Sequence, residues 1–96
     1  MEDRILCLHP EGKQGVNISR EKYEQMRTAI VEILKEKESA GFTEMGDMLV
    51  SRLTDSFDGS ILWYYTTVKL DLEARGEIER FKQKGRQQVR LTSETI

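Results

Sequence analysis

The stretch from Ser60 to Gly76 constrains the fold more than any other part of this 96-residue chain. Placed at ~100° per residue, Ile61, Tyr65, Val68 and Leu72 fall within about 60° of one another and form an apolar stripe. Asp58-Gly59-Ser60 offers a hydroxyl cap for the start of this helix, and Gly76 stands where a left-handed residue ends one. On the far side Trp63, Leu70 and Ala74 gather within about 40°, with Thr67 and Ser60 adjoining. A helix that is apolar on two sides needs two covers. The first is the pair of helices read upstream. The second is either the N-terminal run Ile5-Leu6-Cys7-Leu8 folded across Trp63 and Leu70, or another protein surface. Tryptophan anchors interfaces more often than most residues, so Trp63, Leu70 and Ala74 are the candidate protein-contact residues.

Upstream, Ser19 reads as an N-cap with Glu21 in the first turn, where a negative charge suits the helix dipole. Tyr23, Met26, Ile30, Ile33, Leu34 and Lys37 then recur at three- and four-residue steps, which predicts a helix over residues 20–38. Ser39-Ala40-Gly41 reads as its stop. Thr43 is the expected cap of a second helix carrying Met45, Met48, Leu49 and Leu53 on one face, with Thr54-Asp55-Ser56 as the turn after it. Downstream of Gly76, segments 77–82 and 87–92 alternate around Lys84-Gly85-Arg86 and predict a β-hairpin. A lone hairpin is marginal in water, so it must dock on the helices. Glu11-Gly12-Lys13-Gln14-Gly15 reads as a loop and Val16-Asn17-Ile18 as a short strand or extended arm. The expected organisation is an N-terminal arm or strand over 1–18, one folded domain over 19–92 and a frayed tail over 93–96. The fold class is α+β, mainly α: three helices with a C-terminal hairpin.

The segment Val68-Lys69-Leu70-Asp71-Leu72-Glu73-Ala74-Arg75-Gly76-Glu77-Ile78-Glu79-Arg80 resembles the winged-helix signature that joins the third helix to the wing. In that signature an apolar position, a leucine, a glycine and an apolar–acidic–arginine triplet follow one another. The run from Gly59-Ser60 through Trp63-Tyr64 to Arg80 is similar to a family of small uncharacterised bacterial proteins of winged-helix type, with no assigned activity. The likeness spans residues 19–92 and implies a winged helix-turn-helix with the hairpin as wing. Winged-helix regulators lay the third helix in the major groove and the wing on the backbone. Carried over by position, Ser60, Trp63, Tyr64, Thr67 and Asp71 would face the groove. Lys82, Lys84 and Arg86 would be wing contacts, and Ile61, Tyr65, Val68 and Leu72 would face the core.

Charge is unevenly distributed. Residues 1–74 hold 9 basic and 14 acidic side chains, whereas residues 75–96 hold 6 and 3. Arg80, Lys82, Lys84, Arg86 and Arg90 follow one another with no acid between Arg80 and Arg90. Such a patch suits phosphate contact, and equally suits a solvated turn whose cations protect a sheet edge. Double-stranded DNA is therefore one expected partner, through Lys82, Lys84, Arg86, Arg90, Ser60, Tyr64 and Thr67. The third helix argues against base reading, which normally employs Arg, Lys, Asn or Gln; here Trp63, Leu70, Ala74 and hydroxyls occupy the outward side. The alternative is a protein-interaction or self-association module using Trp63 and Leu70.

Chemistry is sparse. One cysteine, Cys7, precludes an internal disulfide and suits a reducing compartment. Cys7 and His9 are the only nucleophile–base combination, without an orienting third group, and they fall two ligands short of a usual zinc set. No P-loop or dinucleotide fingerprint is present. No apolar run approaches the ~20 residues of a membrane span, and the acidic start with its short apolar stretch lacks the form of a signal peptide. The expectation is a cytoplasmic, non-enzymatic protein with no metal, cofactor or membrane partner.

Overall fold

The computed structural model describes residues 3–9, 11–12 and 15–92. The expected frayed tail over 93–96, and Lys13-Gln14 of the expected loop, lie outside the described residues. The chain is α+β. Two strands, β1 (Arg4–Cys7) and β2 (Val16–Ser19), pair antiparallel with Ile5 opposite Ile18 and Cys7 opposite Val16. Residues opposite one another share a face, and most of this one turns inward: Ile18 and Cys7 are buried and Ile5 packs partly against the core, while Val16 is exposed.

The helix α1 (Arg20–Lys37) follows directly. Its buried residues, Tyr23, Met26, Ala29, Ile30, Ile33 and Leu34, keep the predicted spacing. Lys37 does not share that face. It is exposed and reaches Glu44 across the connection, 2.8 Å away. Ser19 occupies the N-cap position without a side-chain cap bond; Arg20 N–H instead donates to Asp3 O at 2.9 Å.

The expected stop at Ala40-Gly41 is also a strand, β3 (Ala40–Gly41), which pairs with the C-terminal hairpin. The helix α2 (Phe42–Leu53) starts two residues earlier than a Thr43 cap requires. Gly41 is its N-cap, and Glu44 Oε1 accepts from Gly41 N–H. Met45, Leu49 and Leu53 are buried and Met48 packs partly against them.

In α3 (Ile61–Ala74), Ser60 Oγ accepts from Trp63 N–H at 3.3 Å, and the helix closes at Gly76 with φ +78°. Glu77 N–H donates to Leu72 O and Gly76 N–H to Glu73 O, the paired bonds by which a left-handed residue satisfies the last carbonyls of a helix. The hairpin β4 (Ile78–Gln83) and β5 (Arg86–Leu91) turns on Lys84 and Gly85, both at positive φ, so Arg86 belongs to the strand rather than the turn. The sheet order is β3-β5-β4. Ile78 and Val89 carry it into the core that α1, α2 and α3 enclose around Tyr65, Met26, Ile30 and Leu72.

Candidate functional site

The inner stripe of α3 is as the periodicity predicts: Tyr65, Val68 and Leu72 are buried and Ile61 partly so. The outer side divides in two. At the N-terminal end Leu62 is 55% and Trp63 47% exposed. The Trp63 ring stands edge-on to Tyr64 with centroids 4.9 Å apart. Tyr64 meets Phe57 the same way at 5.2 Å and lies under Lys22 Nζ. Tyr64 is thus half-buried in an aromatic cluster, and the Ser60 hydroxyl is engaged as the cap. At the C-terminal end Leu70 and Ala74 are partly buried. Thr67 and Leu70 line a shallow depression with Cys7, Leu8, His9, Gly15 and Val16 of the N-terminal hairpin and its loop. Leu70 therefore receives its cover from this chain, and Trp63 remains half open.

Asp71 corrects the reading carried over by resemblance. It does not face outward; it is fully buried. Asp71 lies beside the core stripe, on the side that meets α1 and the end of β1, and three donors make four contacts with its carboxylate. Tyr23 Oη donates at 2.5 Å, Leu8 N–H at 2.8 Å, and Arg75 Nε lies 2.9 Å from both carboxylate oxygens. Arg75 also reaches Leu6 O at 3.2 Å. A buried carboxylate is tolerated when paired and hydrogen-bonded in this way. The site in turn shapes its neighbours. Burial, then the bond to Asp71, raises the Tyr23 hydroxyl above its ordinary range. Burial, reinforced by the charge of Asp71 and opposed by Arg75, pushes the Cys7 thiol up to about 11. A protonated, buried thiol is a poor nucleophile, and His9 Nδ1 is occupied in accepting from Glu11 N–H at 3.1 Å.

The basic run separates into paired and unpaired members. Arg80 Nε sits 2.8 Å from Glu73 Oε1. Arg90 pairs with Glu79 at 2.9 Å while its guanidinium lies over the Phe81 ring. Lys82, Lys84 and Arg86 are exposed, with no carboxylate in ion-pair range among the described residues. Lys82 stands opposite Gln87, and Arg86 opposite Gln83, so these two cations point to opposite faces of the hairpin with Lys84 at its tip. Lys69, the cation within α3, is nearly buried and bonded to Glu73.

Sequence reasoning missed the role of Glu73, although its spacing of four from Lys69 is the ordinary helix-pair signal. It also missed Leu62, which falls between the two stripes of α3, and Phe42, whose exposed ring stacks on Tyr65. Among the described residues no three His, Cys, Asp or Glu side chains assemble as a metal set, and no helix is long and apolar enough to cross a membrane.

The sequence model of DUF6958, a family of unknown function, matches residues 4–89. The chain belongs to this family. The DUF6958 match begins with β1 and ends within β5, so it takes in the N-terminal hairpin, all three helices and most of the C-terminal hairpin. No curated protein and no solved structure matches the chain.

Proposed function

We propose that this chain is a non-enzymatic protein-contact module on a winged-helix-type scaffold, and that it associates with a second copy of itself through Leu62 and Trp63 of α3. The observation that carries this reading is the half-exposed Trp63 beside the exposed Leu62, on a helix whose neighbouring outward residue Leu70 is already covered. Tryptophans at the centre of a contact supply much of its energy when desolvated. Charge favours a second copy as the occupant: the three hairpin cations with no ion-pair partner among the described residues complement the exposed Glu21 and Glu24 of α1 on an otherwise acidic body. Sedimentation velocity over a range of concentrations tests this. The expected result is a mass that rises with concentration for the wild type and stays monomeric for Trp63→Ser. A wild-type monomer at every concentration contradicts it.

A second reading, contact with double-stranded DNA, is favoured by the unpaired Lys82, Lys84 and Arg86 alone. Three neutralised phosphates give a log–log salt slope of about −2.7 at most. The outward residues of α3 add no base-reading cation to this, because Lys69 is taken up by Glu73.

A further inference from the structure

A cavity of about 160 Å³ opens where the start of α2, the middle of α3 and the C-terminal hairpin meet. Its walls are Phe42, Lys69, Arg80, Gln87, Gln88 and Val89. One side is aromatic: the Phe42 ring, half exposed, is held in place by stacking on Tyr65 with centroids 4.8 Å apart. The rest is cationic and reaches onto that ring: Lys69 Nζ lies 5.7 Å from the Phe42 centroid. The Glu73 carboxylate, with a side chain only 5% exposed, takes Lys69 on one oxygen and Arg80 on the other. One carboxylate against two cations leaves a positive charge uncompensated at the cavity wall. A guanidinium has five N–H donors and an ammonium three. Among the described residues, Glu73 is the only hydrogen-bonding or ion-pair partner of either Lys69 or Arg80. Gln88 Oε1 accepts from Ser39 Oγ at 3.1 Å, which leaves its amide nitrogen as a donor. The space therefore offers a flat ring with a cation near its face and, beside it, donors with net positive charge. A cavity of about 150 Å³ is known to admit a benzene ring.

We propose that this cavity binds a small planar aromatic carboxylate, its ring against Phe42 and its carboxylate on Arg80 and Lys69. A carboxylate matches the fork of a guanidinium bidentately, which selects it over a neutral group on the same ring. The site is separate from the Leu62–Trp63 surface.

Titration of the ¹⁵N-labelled full chain with benzoate, followed by amide chemical shifts, tests the assignment, with benzyl alcohol as the neutral counterpart. Saturable shifts are expected at Phe42, Lys69, Gln88 and Val89. The affinity expected is millimolar, on the order of what about nine non-hydrogen atoms achieve. Arg80→Gln, at a side chain that is 44% exposed, should weaken benzoate binding about tenfold, and Phe42→Ser similarly. Thermal unfolding establishes which of the two variants is folded, and either one suffices. Trp63→Ser should leave benzoate binding unchanged, which separates this proposal from the self-association reading. The proposal is overturned by the absence of saturable shifts, by equal binding of benzyl alcohol, by shifts centred on Lys84 and Arg86, or by a folded variant that binds benzoate as the wild type does.

Discussion

The N-terminal hairpin β1–β2 and the C-terminal hairpin β4–β5 both lie against α3, yet different chemistry holds each of them there. The first has four-residue strands and buries Cys7 and Ile18, but its position is set by a charge. Asp71 of α3 accepts from Leu8 N–H, and Arg75 grips Leu6 O. The second has six-residue strands, gains a third strand at Ala40–Gly41, and is anchored mainly by Ile78 and Val89, with Arg80 paired to Glu73 of α3 beside them. A polar anchor is directional and fails as a unit when one partner is lost, whereas an apolar anchor loses stability in proportion to what is cut away. The N-terminal hairpin also decides how much of the outer side of α3 stays open, because it covers Leu70 and stops short of Trp63.

Asp71→Ala strikes the polar anchor, and the largest effect is expected there. Removing one partner of a buried pair costs about 3–5 kcal/mol, and Tyr23 Oη and Leu8 N–H lose their acceptor as well. Urea unfolding gives the loss, and thiol labelling of Cys7 under native conditions reports whether the hairpin has lifted. Ile78→Ala strikes the apolar anchor and should cost about 3 kcal/mol while Cys7 stays protected. If both variants expose Cys7 equally, the two hairpins are not independently held.

Alkali distinguishes the two hairpins by a gentler route. Burial, with the charge of Asp71, lifts Cys7 from 9.0 to about 11, so the folded state holds this proton more tightly than the unfolded chain does. The resulting stability is full below about pH 9 and is lost as the pH rises through 11. Tyr23, raised in the same direction, adds to the trend. The N-terminal hairpin should therefore release before the C-terminal one in a pH series followed by amide exchange, and simultaneous release would contradict the difference between them. The smallest effect on stability belongs to Lys84→Glu combined with Arg86→Glu, within about 0.5 kcal/mol because both are exposed turn-proximal residues. The same double variant should abolish any salt-dependent DNA binding, as a filter-binding series would show. A large loss of stability would mean that the hairpin tip is anchored after all.

Elements marked by local chemistry could be read from the sequence. Ser60 and Gly76 bracket α3 because a cap hydroxyl and a left-handed glycine act within one turn. The inner stripe of α1 and the separation of Trp63 from the core followed from helical period alone. The role of Asp71 could not be read, since its partners Tyr23 and Leu8 lie 48 and 63 residues away and periodicity says nothing about which neighbour meets the flank of a helix. Ala40-Gly41 was similarly hidden: a two-residue strand has no period, and its partner β5 is remote in sequence. The charge run misled in part for the same reason, because Glu73, which pairs with Arg80, sits in a different element.

The central claim is that the open end of α3 is a contact surface for a second copy, and the single tryptophan of the chain reports on it directly. Trp63 emission and its quenching by acrylamide, followed from dilute to concentrated protein, is the decisive measurement. The expected result is a red, quenchable indole in dilute solution that shifts to the blue and becomes protected as concentration rises. Emission that is already blue and protected in the most dilute sample, or that does not change with concentration, contradicts the claim.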